Sequence, residues 1–170
     1  MKRFALALFL VALVAPAAFA QNFQATLSGA NEVPPADPDG SGTALVTISG
    51  TTVTYAITAN LIDAPTAQHI HVGAAGVNGP IVVNLPGVWV GSGQGPWTLN
   101  GVTTTDAATA AAIIANPAGH YVNVHNAPFP GGAIRGQLAV APAIPTASTV
   151  GLIALCGMLT IVGLFVARRF

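Results

Sequence analysis

Cysteine is nearly absent from this 170-residue chain: Cys156 is the only one. It sits in a C-terminal apolar run, so the region before it holds no disulfide and no thiol nucleophile, and a blue-copper ligand set is excluded there. Charge is almost as scarce, at 6% of residues. Four of the five basic residues, Lys2, Arg3, Arg168 and Arg169, lie at the two ends. Between the ends Arg135 stands alone against Glu32, Asp37, Asp39, Asp63 and Asp106, a formal charge of −4. Such a surface has nothing with which to neutralise phosphates, so a nucleic-acid partner is excluded. No serine stands in a nucleophile-elbow motif, and the glycines at 73, 76 and 79 lead into Pro80 and a β-prone run instead of a helix, so they read as a turn and not as a nucleotide loop.

The ends carry what the middle lacks. Lys2 and Arg3 precede an apolar run from Phe4 to Val14, and Ala18-Phe19-Ala20 supplies small residues before a cleavage point between Ala20 and Gln21, the layout of a secretory signal peptide over residues 1–20. At the other end a linker (142–149) contains Ile144-Pro145-Thr146. The uncharged run 150–167 follows, about 18 residues and just long enough to span a hydrocarbon core as a helix, then the basic tail 168–170 with Arg168 and Arg169, which stays cytoplasmic by the positive-inside bias. Proline motif, span and basic tail in that order resemble the C-terminal sorting signals of the IPTL-CTERM and PEP-CTERM kind, with Ala147 in place of the motif's leucine. That resemblance implies an exosortase-like processing enzyme as a partner; a plain membrane anchor is the other reading. Either way the expectation is an exported protein, held at the inner membrane facing the periplasm or passed to the cell surface or matrix.

Residues 21–141 are enough for one domain with one core. Runs rich in Val, Ile, Thr and Tyr, broken by Gly, Asn and Pro, predict strands at 23–27, 43–48, 53–59, 69–72, 81–85, 97–99, 121–124 and 134–140, the second and third joined as a hairpin around Gly50. An alanine-rich stretch, 106–116, predicts one short crossover helix with Thr105 or Asp106 as N-cap and Pro117 as its stop. The expectation is all-β: an antiparallel β-sandwich with one helix. Trp89 and Trp97 are read first as packing over the end of the sandwich, second as an aromatic patch for carbohydrate.

The chemistry-bearing residues are histidines on strands. Side chains i and i+2 share a face, so His69 projects with His71, and Asn123 with His125, while His120 faces the other way. His69, His71 and His125 together offer three neutral nitrogens, a set suited to copper or zinc, with Asn123 or Arg135 behind them. The alternative is a hydrogen-bonded polar cluster of Glu32, His69, His71, Asn123, His125 and Arg135 that holds the strands in register without any cofactor.

Three blocks carry a family resemblance: Leu27-Ser28-Gly29-Ala30-Asn31-Glu32-Val33-Pro34-Pro35; then His69-Ile70-His71-Val72-Gly73 with Gly79-Pro80-Ile81-Val82; then Tyr121-Val122-Asn123-Val124-His125 with Gly132-Ala133-Ile134-Arg135-Gly136-Gln137-Leu138. In order and spacing they resemble the CHRD (chordin-type) domain. That resemblance implies an immunoglobulin-like or related sandwich outside the cytoplasm and a structural or binding role without catalysis, the partner being an extracellular protein or carbohydrate. The histidine blocks also look like those of copper/zinc superoxide dismutases, which would make His69, His71 and His125 copper ligands and Arg135 an anion guide. The paired cysteines and the zinc subsite of that family have no counterpart here.

Overall fold

The computed structural model describes residues 20–142. The expected signal peptide apart from Ala20, the sorting motif, the membrane helix and the basic tail lie outside the described residues. Among the described residues no helix is long and apolar enough to cross a membrane.

Nine strands and one α-helix follow one another as β1 (Gln21–Ser28), β2 (Ser41–Ser49), β3 (Thr52–Asn60), β4 (Pro65–Val72), β5 (Ile81–Asn84), β6 (Trp97–Thr104), α1 (Ala107–Ala115), β7 (His120–Asn126), β8 (Ile134–Gln137) and β9 (Ala139–Val140). Period-2 patterning sets the first three. Phe23, Ala25 and Leu27 of β1, Ala44, Val46 and Ile48 of β2, and Val53, Tyr55, Ile57 and Ala59 of β3 are buried, while the alternate Thr, Asn and Gln residues face outward. The β2–β3 hairpin closes tightly, Ser49 pairing with Thr52 across Gly50 and Thr51.

The all-β expectation with one helix holds. The strands do not form two separately bonded layers, however: they make one antiparallel sheet in the order β5-β4-β7-β8-β1-β2-β3-β6, with β9 beside β1. A single apolar cluster takes Ile70 and Val83 from one end of that order and Leu99 from the other, so the sheet closes over its own core. Helix α1 joins β6, at one end of the order, to β7, deep inside it. Asp106 is the N-cap, accepting from the backbone N–H of Ala108 and Thr109 at 2.9 Å each, and Ala110 and Ile113 are the helix residues that reach the core.

Two strands run differently from their sequence signal. β6 extends past the expected end at Leu99 to Thr104: Gly101 lies opposite Tyr55, whose phenol occupies the space a side chain would take. The expected strand 134–140 divides at Leu138, because β8 is bonded to β7 whereas β9 pairs only with β1, Val140 lying opposite Phe23.

Strand β7 is buried at every residue from His120 to Asn126. Val122 and Val124 lie in the core, and Tyr121, Asn123 and His125 point to the opposite, outer face.

The helix gives a clean test of packing. Ile113→Ala should cost about 2–4 kcal/mol, the range for deleting a buried Ile side chain, while Ile114→Ala, at a position 38% exposed, should move stability by no more than about 0.5 kcal/mol. Urea denaturation of the two variants checks the contrast, and equal losses would contradict this packing.

Candidate metal centre

Register places the outer-face residues in rows. His69 lies opposite Asn123, which lies opposite Arg135; His71 lies opposite Tyr121, which lies opposite Gln137; and Ala67 lies opposite His125. Adjacent strands stand about 4.8 Å apart, so rings from β4 and β7 meet. One nitrogen from each of His69, His71 and His125 lies within 4.8 Å of the others. The ring centroids are 5.1 Å apart for His69–His125, 5.7 Å for His69–His71 and 6.1 Å for His71–His125. An ion with bonds of about 2.0–2.1 Å wants donors roughly 3.4 Å apart. His69 Nδ1 and His125 Nε2 stand 3.3 Å apart.

Loops cover this face and decide where the protons sit. His71 Nδ1 is 2.9 Å from the carbonyl oxygen of Gly79, and His125 Nδ1 is 3.0 Å from that of Pro130. A carbonyl only accepts, so both Nδ1 atoms carry hydrogen and both Nε2 atoms carry a lone pair. His71 Nε2 is buried with no hydrogen-bond partner. Because His125 Nε2 is an acceptor, His69 donates to it from Nδ1, and the other tautomer of His69 frees that nitrogen.

All three rings are held neutral. Burial, followed by the neighbouring His125 and His71, depresses His69 to about 4. Burial likewise lowers His71, with Arg135 adding to the effect, and His125, with His71 adding.

Beside the histidines lies a second group. Arg135 Nε donates to the Asn31 carbonyl oxygen at 2.6 Å, Arg135 Nη1 donates to Asn78 Oδ1 at 2.7 Å, and Nε stands 3.7 Å from Glu32 Oε2. The guanidinium carbon sits 4.8 Å above the Tyr121 ring centre, and Tyr121 stacks on His71 at 4.9 Å and 9°. Burial pushes the Glu32 carboxyl up to about 7 even though Arg135 pulls it down, because an ion pair at 3.7 Å restores only part of the lost hydration. Glu32 Oε1 and Asn123 Oδ1 are buried without partners, and a Cβ on Gly132 would lie 2.7 Å from each. Gly132, at φ +138°, therefore brings bare backbone against them where a side chain has neither room nor a suitable conformation.

The six residues expected in one polar cluster thus come apart: His69 is hydrogen-bonded to His125, His71 and His125 are held by loop carbonyls, Arg135 is bonded to the loops at 31 and 78 with Glu32 at 3.7 Å, and Asn123 Oδ1 has no partner in either set. Among the described residues no hydrogen bond joins one set to the other; Tyr121 stands between them. His120 lies on the opposite face, its Nδ1 at 2.9 Å from the Asn116 carbonyl oxygen. Trp89 donates to Gln68 Oε1 at 2.8 Å and Trp97 to the Ile62 carbonyl oxygen at 3.2 Å, both packed against the core cluster. Tyr121, Asn78 and the carbonyls of Gly79 and Pro130 escape sequence reasoning. The signal for Tyr121 was present, since it shares the parity of Asn123 and His125; the carbonyls leave no mark in residue type.

An all-β domain with a loop-covered polar face of this make-up defines a class that the family comparison makes specific. The CHRD domain model matches residues 23–138, and the chain belongs to the CHRD domain family. No curated protein and no solved structure matches it.

Opposed shifts give this face a pH signature. The native state holds His69, His71 and His125 below their unfolded values, so it binds fewer protons than the unfolded chain between about pH 4 and 6.5, and their stability contribution is lost as pH falls through that window. Glu32 acts the other way: its contribution is complete below 4.5 and lost as pH rises through about 7. With chelator present, the denaturation midpoint should climb from pH 4 to 6.5. His69→Asn should flatten that climb and Glu32→Gln should steepen it; unchanged slopes in both variants would show that these groups are not buried as described.

Proposed function

We propose that the chain is an exported CHRD-domain protein that works by binding and not by catalysis, and that its three-histidine group takes copper or zinc. The observation that carries the metal half is the proton arrangement. Two rings are pinned by backbone carbonyls at Nδ1, which leaves Nε2 lone pairs, and His71 Nε2 is buried without any partner. Histidine ligands characteristically have their far N–H held in this way, which orients the ring and raises its basicity. An orphaned buried acceptor costs about 1–3 kcal/mol, and an ion held by the three rings would satisfy the one on His71.

His69, His71 and His125 would supply the donors; Gly79 and Pro130 would hold two of the rings through their carbonyls; Arg135, through Asn31 and Asn78, would keep the loops in place. Copper or zinc bound there would supply Lewis acidity, and copper also an electron-transfer couple. Among the described residues this is the one group of three or more metal-binding side chains placed to share an ion. A two-metal dismutase arrangement therefore gains no support from these residues.

Export and anchoring rest on the sequence: the Lys2-Arg3 start, the Ala18-x-Ala20 ending, and the Ile144-Pro145-Thr146, apolar-run, Arg168-Arg169 order. Extracellular proteins or carbohydrates are the partners this placement makes available.

Purified protein should carry close to one copper or zinc per chain by elemental analysis and show a raised thermal midpoint on loading, since a ligand present at 100 times its Kd adds about 2.7 kcal/mol. His71→Ala and His125→Ala should each abolish both effects. A folded wild-type chain that neither holds metal nor shifts on titration would leave the register-locking cluster as the function of these residues. For export, mass spectrometry of protein recovered from cells should find Gln21 at the amino terminus. An intact Arg168-Arg169-Phe170 end would rule out sorting cleavage and leave simple anchoring.

A further inference from the structure

We infer that the three-histidine group is selective for monovalent copper over both divalent copper and zinc. This rests on the metal-binding reading above and adds the charge state of the ion.

The argument begins with what the donor set lacks. His69, His71 and His125 are uncharged as ligands, and no carboxylate or thiolate joins them among the described residues. Whatever ion enters keeps its whole charge, in a place where His71 and His125 are buried. The cost of moving a charge out of water grows with its square, so a divalent ion pays about four times the desolvation of a monovalent one of similar size.

Neighbouring charge points the same way. Glu32 could offset a cation, but its carboxylate faces Arg135 at 3.7 Å. Arg135 itself lies against Tyr121, whose other neighbour in the stack is His71, so a full positive charge stands behind one of the three donors. That guanidinium opposes an added second charge more than a first.

Coordination number agrees. Zinc prefers four donors in a tetrahedron, and divalent copper prefers a tetragonal N,O set. Three imidazoles from the same face of two neighbouring strands meet neither demand without a water ligand. Monovalent copper, with a filled d shell and a low coordination number, is satisfied by three nitrogens.

The test uses the full-length chain in detergent. Copper(I) is titrated without oxygen against a coloured copper(I) chelator, and copper(II) and zinc(II) are titrated separately against chelators of known affinity. Copper(I) should bind at least tenfold more tightly than copper(II), which places the bound couple at least 59 mV above that of aqueous copper, and one equivalent of zinc should not displace it. Glu32→Gln leaves Arg135 unopposed and should widen the copper(I)-to-copper(II) affinity ratio. Equal or tighter binding of copper(II) or zinc, or a ratio in Glu32→Gln that is unchanged or smaller, would overturn the selectivity while leaving metal binding in place. No binding of any of the three ions would overturn the metal reading itself.

Discussion

Strand β7 is covered on both faces along its whole length, and most of what is distinctive in this domain follows from that burial. A central strand of this kind usually reads as a continuous apolar run. β7 instead alternates valine on the core side with Tyr121, Asn123 and His125 on the other. Those polar groups are out of reach of bulk water, so the protein itself has to supply their partners. His69 does so for His125 from the neighbouring strand, and the loops over the face do so through Gly79 for Tyr121 and Pro130 for His125, while Asn123 Oδ1 is left without one. The loops therefore have to be ordered for the strand to be stable there, and irregular chain becomes as constrained as sheet.

The parity of strands carried much of this into the sequence. His69 with His71, Asn123 with His125, and His120 on the far side all follow from a period of two, without any knowledge of which strands are neighbours. The helix was equally legible, because Asp106 caps it and Pro117 ends it with ordinary local chemistry. What stayed hidden depends on contacts between distant segments. The continuation of β6 past Leu99 depends on space at Gly101 for the phenol of Tyr55, a residue more than forty positions earlier. A single continuous sheet and a two-layer sandwich use the same alternation, and the pairing of β8 with both β7 and β1 distinguishes them. Backbone carbonyls are present in every residue type, so the two that orient His71 and His125 were invisible until the loops were placed.

Charge scarcity sharpens the meaning of the one ion pair in the described region. Arg135 is the sole base between the termini and is 2% exposed, a poor use of a charge for solubility. Its value is directional: a planar fork can bond two loops at once, and it does so at Asn31 and Asn78 while its face lies on Tyr121. A lysine keeps the charge but loses the fork. Glu32, 5% exposed, supplies only a distant counter-charge at 3.7 Å, and its raised carboxyl pKa reflects that weakness.

The two halves of the polar face are consequently joined by geometry more than by hydrogen bonds. Arg135 stacks on Tyr121 and Tyr121 on His71, and the hydroxyl of Tyr121 accepts from the N–H of Gly79, the residue whose carbonyl holds His71. Any movement of the guanidinium is thus felt at the His71 ring by two routes, the ring stack and the 73–80 loop. Asn78 ties the loop route to the guanidinium, since it receives Arg135 Nη1 while its own amide donates to the Val33 carbonyl oxygen at 2.7 Å. Packed and hydrogen-bonded chains of this kind transmit displacement because neither end can shift without leaving a buried polar group unpaired. On that ground the Glu32–Arg135 pair is best understood as the setting of the histidine group: it fixes the field the three rings feel and the loops that hold two of them.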